Sequence, residues 1–197
     1  TGYSPGEGRL DLREAITDKV ARVNGFTVDA DQVCVTTGAC GGLFTSLLLL
    51  AGPGDEVLVP DPGWSNYAAI LHVLGATATP YPLRPDASWT LDADALAAAV
   101  TPRTKAILVN TPGNPTGSVE TRENLLRVLE VAEQHDLWVV SDEAYDELVF
   151  DAPRVSPASL GGADRVLSVF TFSKTYAMTG WRIGYVTGPR QFVRQLG

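Results

Sequence analysis

The sequence predicts an α/β fold: a three-layer αβα sandwich built on a mostly parallel, seven-stranded sheet with one antiparallel strand. Apolar runs of strand length alternate with amphipathic stretches of helix length, the pattern of a parallel sheet covered by helices. Several runs, such as VLVP, AILVN and LWVVSD, are near-continuous Val, Leu and Ile, as strands buried on both faces require. The last two strands have no helix-length stretch between them, and so short a link suggests that one strand runs antiparallel.

The elements follow in order. An amphipathic helix at 12–23 carries Lys19 on its polar side, and a strand at 32–36 leads through a glycine-rich turn into an apolar helix at 41–50. A second apolar run, 56–60, precedes a helix at 65–74 and a strand at 76–82; a short helix at 93–99 then precedes a strand at 105–110. The helical period resumes at 123–135, ahead of strands at 137–141, 166–172 and 182–187. The Pro-rich patch 80–85 and the stretch 151–162 read as surface loops, so residues 1–197 are expected to form one domain.

Composition limits the function. With 197 residues, 45% hydrophobic, the chain can offset its ordering entropy, which excludes disorder. A formal charge of −8 argues against a nucleic-acid groove or an anionic membrane surface, so any anionic ligand must be met locally. The longest apolar stretch, 43–51, is broken by Thr45 and Ser46 and is far shorter than the roughly 20 residues of a bilayer span. Cys34 and Cys40 are too few for a disulfide framework and lack metal-ligand spacing, so a cytoplasmic setting and no metal site are expected. No signal peptide is visible. Starting at Thr1 and stopping in mid-pattern at Gly197, the sequence reads as cut from something longer.

In open α/β sheets, ligands bind beyond the carboxyl ends of the strands, and most unusual residues lie there. Gly38-Ala39-Cys40-Gly41-Gly42 opens a helix after the first strand, exposing N–H groups at a positive dipole end, a seat for phosphate. The same glycines would also serve tight helix–strand packing. Neither G-x-G-x-x-G nor a P-loop occurs, so dinucleotide and nucleotide-hydrolase readings lose their support. There are three lysines. Lys19 and Lys105 read as solvated charges, whereas Lys174 follows an apolar strand, where a partly desolvated amine can attack a carbonyl. Taken singly, Asp142 reads as an N-cap, Asn114 as a turn residue, and Tyr145 and Trp64 as core aromatics. His72 and His135 have no partner at catalytic spacing.

Together these residues resemble the aspartate aminotransferase superfamily, the fold-type I class I/II aminotransferases that use pyridoxal 5′-phosphate. Ser173-Lys174-Thr175-Tyr176-Ala177-Met178-Thr179-Gly180-Trp181-Arg182-Ile183-Gly184-Tyr185 looks like the family's cofactor-lysine motif. Asn114-Pro115-Thr116-Gly117 and Ser141-Asp142-Glu143-Ala144-Tyr145 are similar to two further motifs, and Tyr3-Ser4-Pro5 with Gly8 and Leu12-Arg13-Glu14-Ala15-Ile16 to the segment before the first strand. The likeness covers nearly the whole chain and implies the large, cofactor-binding domain.

By this resemblance Lys174 is the catalytic residue, holding the cofactor as a Schiff base and shuttling the substrate's Cα proton. Asp142 pairs with the ring nitrogen, Asn114 and Tyr145 with the phenolic oxygen, and Trp64 covers the ring face. The phosphate falls to the backbone of Gly38, Ala39 and Cys40, the hydroxyls of Thr171 and Ser173, and the Arg182 charge; Tyr3 reaches the phosphate of a neighbouring subunit, implying a homodimer with shared sites. Cys40 stands where relatives commonly carry Lys, Ser or Thr, and Gly63 where an aromatic often precedes the stacking residue. The family's carboxylate-binding Arg belongs to a small domain absent from these residues, so substrate choice is not legible. The implied reaction is amino transfer between an amino acid and a 2-oxo acid. The alternatives are a lyase or decarboxylase on the same cofactor, or the aminotransferase-like sensor domain of a transcription regulator.

Overall fold

The computed structural model describes residues 2 and 4–197. Its centre is an eight-stranded sheet in the order β1-β8-β7-β6-β5-β2-β3-β4. The strands are β1 (Val33–Thr36), β2 (Glu56–Asp61), β3 (Thr77–Arg84), β4 (Thr90–Leu91), β5 (Thr104–Asn110), β6 (Trp138–Asp142), β7 (Val166–Thr171) and β8 (Gly184–Thr187). Strands β3, β2, β5, β6 and β7 are mutually parallel. β8 lies antiparallel to both β7 and β1, as the short link before it suggests.

Two expectations need correction. The sheet has an eighth strand, β4, whose two residues pair antiparallel with Leu83 and Arg84. β3 also runs on through the proline patch, which is not a loop. Pro80 and Pro82 are tolerated because the N–H groups they lack would face the sparsely paired edge, where Asp92 N donates to Pro82 O.

Helices α1 (Leu10–Lys19), α4 (Ala93–Ala98) and α5 (Arg122–Gln134) cover one face of the sheet; α2 (Gly38–Leu50), α3 (Asn66–Leu74) and α7 (Arg190–Leu196) cover the other. α5 is the clearest amphipathic case. Thr121 Oγ1 caps it by accepting from Asn124 N, and Leu125, Val128, Val131 and Ala132 form its buried stripe. α1 widens into a single π-turn over Val20–Asn24 and stops at Gly25, whose φ of 77° is left-handed. α7 was not foreseen from the sequence; its buried Phe192 and Val193 dock it beside α2. α6 (Phe172–Thr175) is a single turn following β7, where the sequence reading extended the strand to residue 172.

Strand alternation sends neighbours to opposite faces. Val140, Leu108, Leu167 and Val169 enter the core beneath α2 and α3, while Val139, Ile107 and Phe170 face α1 and α5. The same alternation aims Asp142 and Glu143, at the end of β6, into different surroundings.

Candidate active site

The carboxyl ends of β5, β6 and β7 and the first turns of α2 and α3 surround a cleft of about 280 Å³. That is near the low end for small-molecule sites, which run to ~300–1,000 Å³. Ala39, Cys40, Trp64, Asn114, Asp142, Tyr145, Thr171, Ser173, Lys174 and Arg182 all line it. Gly38 stands behind Arg182, and Tyr3 lies outside the described residues.

One end of the cleft is built to receive an anion. No side chain caps α2, so its first-turn N–H groups are open. Gly38, at φ 68°, lets the Arg182 guanidinium approach; a Cβ there would stand 2.7 Å from Nη2. Arg182, itself left-handed in the turn before β8, donates from Nη1 to Thr179 O at 2.8 Å and to Ser173 Oγ at 3.3 Å. Having accepted that bond, the Ser173 hydroxyl keeps its own proton to donate. Thr171 Oγ1 accepts from Ser173 N and so caps α6. Gly42 serves the packing role, since a Cβ there would press on Val186 and Val169.

The other end holds a buried carboxyl. Asp142 is 4% exposed, and burial pushes its pKa up to about 6. Tyr67 Oη donates to its Oδ2 at 2.6 Å and Ala144 N to Oδ1 at 3.2 Å, both favouring the charged form. Asn110 locks the segment below: its Nδ2 donates to Asp142 O and Pro112 O, while its Oδ1 accepts from Asn114 N. Sequence reasoning missed both residues. The spacing Trp64-x-x-Tyr67, one aromatic just before α3 and one in its first turn with rings edge to face at 5.4 Å, was the available signal for Tyr67.

Lys174 sits in α6, exposed at the cleft rim, and is less desolvated than its place after an apolar strand suggested. Its Nζ lies 5.5 Å from the centre of the Tyr145 ring. Behind the cleft, Glu143 is 3% exposed; it accepts from Ser156 Oγ at 2.8 Å, and burial pushes its pKa up to about 7. Lys19 is not a solvated charge: its ammonium pairs with Asp146, both side chains being largely buried. The cleft can therefore hold a molecule with an aldehyde for the amine, a basic ring atom for the carboxyl and an anionic tail for the helix end.

Residues 1–197 match the family model "Aminotransferase class I and II". The chain is 43% identical over 190 residues to arginine–pyruvate transaminase of Pseudomonas aeruginosa, covering 96% of this chain and 48% of that protein. It is 40% identical to the aspartate aminotransferase of Rhizobium meliloti, covering 100% and 49% respectively. Aspartate aminotransferase from Thermus thermophilus with maleate superposes with a TM-score of 0.96 at 37% identity, over 100% of this chain and 51% of that one. The chain thus spans about half the length of the curated relatives it matches. The motifs at the strand ends, the fold and these likenesses agree: the chain belongs to the class I and II aminotransferase family.

Proposed function

We propose that this chain is the cofactor-binding domain of a pyridoxal 5′-phosphate-dependent aminotransferase, exchanging an amino group between an amino acid and a 2-oxo acid. The observation that carries the reading is the convergence of an amine, a buried carboxyl and a guanidinium, from three separate segments, on one cleft. Members of the family depend on this cofactor. The residues fit it: α2 with Ser173 and Arg182 at the anionic end, Asp142 at the other, Lys174 at the rim beside Tyr145, and Asn114 on the same cleft.

When bound, the cofactor supplies an electron sink for the charge left on the substrate's Cα. Lys174 Nζ would hold the cofactor's aldehyde carbon and, once freed by the substrate amine, would carry the proton from the substrate's Cα to that carbon. Asp142 keeps a proton on the ring nitrogen, and Tyr67 supports the carboxylate that does so. Tyr145 and Asn114 donate to the ring oxygen, and Trp64 bounds the ring face. The N–H groups of Gly38, Ala39 and Cys40 receive the phosphate with Ser173 and Arg182, while Thr171 acts by fixing the Ser173 amide. A charge-assisted Arg contact is roughly twice as strong as a neutral one, which lets an acidic chain hold an anion.

Relatives carry names spanning arginine, aspartate and aromatic donors, so the reading stays at the substrate class. We further infer a homodimer with shared sites and a cytoplasmic setting, consistent with unpaired Cys34 and Cys40. No helix among the described residues is long and apolar enough to cross a membrane.

The test is borohydride reduction of the full-length protein loaded with pyridoxal phosphate, followed by peptide mass spectrometry. The label belongs on Lys174 and disappears in a folded Lys174→Ala variant; label elsewhere, or none, overturns the proposal. A screen of amino donors with 2-oxo acids, following the amino group into product, separates transfer from elimination or decarboxylation.

A further inference from the structure

On the face of the sheet opposite the cleft, one lysine connects the two segments that carry Tyr145 and Lys174. We propose that Lys19 is a positioning residue for the reaction, holding the Tyr145 turn through Asp146 while abutting β7, which leads into Lys174, through Phe170. The proposal rests on the reading that Lys174 and Tyr145 hold the cofactor.

The Lys19 and Asp146 side chains are 11% and 7% exposed and form an ion pair. Lys19 Nζ also donates to Asn24 Oδ1 at 2.9 Å, and Asn24 Nδ2 donates to Asp146 Oδ2 at 3.0 Å, which closes a triangle. The π-turn at the end of α1 contains Asn24. The same ammonium stands 4.8 Å from the centre of the Phe170 ring, which in turn stacks on Tyr185. Glu147 approaches it at 3.8 Å.

A buried ion pair is a poor source of stability, because desolvation offsets most of the attraction, but it fixes geometry. Here the geometry in question is a turn. The backbone bonds of residues 144–147 are short-range: Asp146 N donates to Glu143 O, and Leu148 N to Tyr145 O. Arg154 adds one longer bond, to Asp146 O at 3.4 Å. The Asp146 carboxylate is therefore what ties this turn to α1, and the Tyr145 ring rides on the same turn, 5.5 Å from Lys174 Nζ. Freeing Asp146 moves a cofactor-facing hydroxyl relative to the amine without touching either.

The test uses the full-length protein with bound pyridoxal phosphate, comparing wild type with Lys19→Met. A hydroxyl donating to the ring oxygen favours negative charge there and disfavours the proton on the adjoining lysine nitrogen. Loosening Tyr145 therefore raises the pH at which the bound cofactor's absorption band changes, by about half a unit to one unit. It also lowers kcat with KM little changed. An adduct on Lys174 in Lys19→Met with the wild-type midpoint overturns the proposal alone. No adduct in the wild type overturns the reading beneath it as well. Should Lys19→Met not fold, Asp146→Asn keeps an acceptor for Asn24 and removes the charge pair; its midpoint moves in the same direction, and a wild-type midpoint overturns the proposal.

Discussion

A carboxyl group buried without a cation gives up either its charge or some of the protein's stability. Asp142 and Glu143 titrate near 6 and 7 for this reason. Between the ordinary carboxylate range and these values the folded chain binds more protons than the unfolded one, so stability falls as pH rises through that window. Glu143→Gln removes one of the two slopes. Urea denaturation of the cofactor-free protein should find this variant about 2–3 kcal/mol more stable than wild type at pH 8 and nearly unchanged at pH 4. Equal stabilisation at both pH values would show that Glu143 is not titrating. Asp142 has a ligand-side counterpart: a cationic ring nitrogen is held only by the ionised carboxyl. Pyridoxal phosphate affinity should accordingly drop about tenfold per pH unit below 6. Tyr67→Phe removes a donor to that carboxylate, an interaction of roughly 1.5–3 kcal/mol, so its binding midpoint should move to higher pH and its affinity fall about 10- to 100-fold. An unmoved midpoint in a fluorescence titration would detach Tyr67 from Asp142.

Among the elements, α2 decides the anionic end of the cleft, because its first turn rests directly on β8. A Cβ at Gly184 would stand 2.5 Å from Gly38 C and 2.7 Å from Ala39 N. Gly184→Ala must push the helix away, at a cost of about 1–3 kcal/mol in stability. Its affinity for pyridoxal phosphate should fall about tenfold, equivalent to 1.4 kcal/mol, while affinity for phosphate-free pyridoxal holds. Loss of both alike would place the damage elsewhere. The strands and the glycine-rich entry to α2 were legible because strand runs and helix period are local signals, and the motifs carried the resemblance. β4 was not, since its two residues take their place from β3 and from Glu120, which accepts Leu91 N across the loop. Lys19 misled because Asp146, its partner, is distant in sequence, and a charge on a helix reads as solvated until the partner is known. Tyr67 was hidden for the complementary reason: an aromatic on an amphipathic helix reads as core.

For the molecule as a whole, the cleft is a local exception to an acidic surface: the formal charge is −8, yet Arg182 and an uncapped helix end face the same space. A ligand bound only by the folded state raises the melting temperature by mass action, about 2.7 kcal/mol at a hundred times its dissociation constant. Calorimetry of the full-length protein should register pyridoxal phosphate as a rise of about 2–5 °C, and pyridoxal as a smaller one. Equal shifts would mean that the anionic end contributes nothing. The sheet order has one more result. Among the described residues the only strand that pairs with β1 is β8, Thr36 standing opposite Gly184, while its outer edge gives one bond, from Val35 N to Glu7 O; Arg182 enters just before β8. During synthesis the amino-terminal strand must wait for almost the entire segment to leave the ribosome before it finds its neighbour. A nascent chain halted ahead of β8 would display an unpaired edge and half of the proposed anion site, a ready substrate for chaperones.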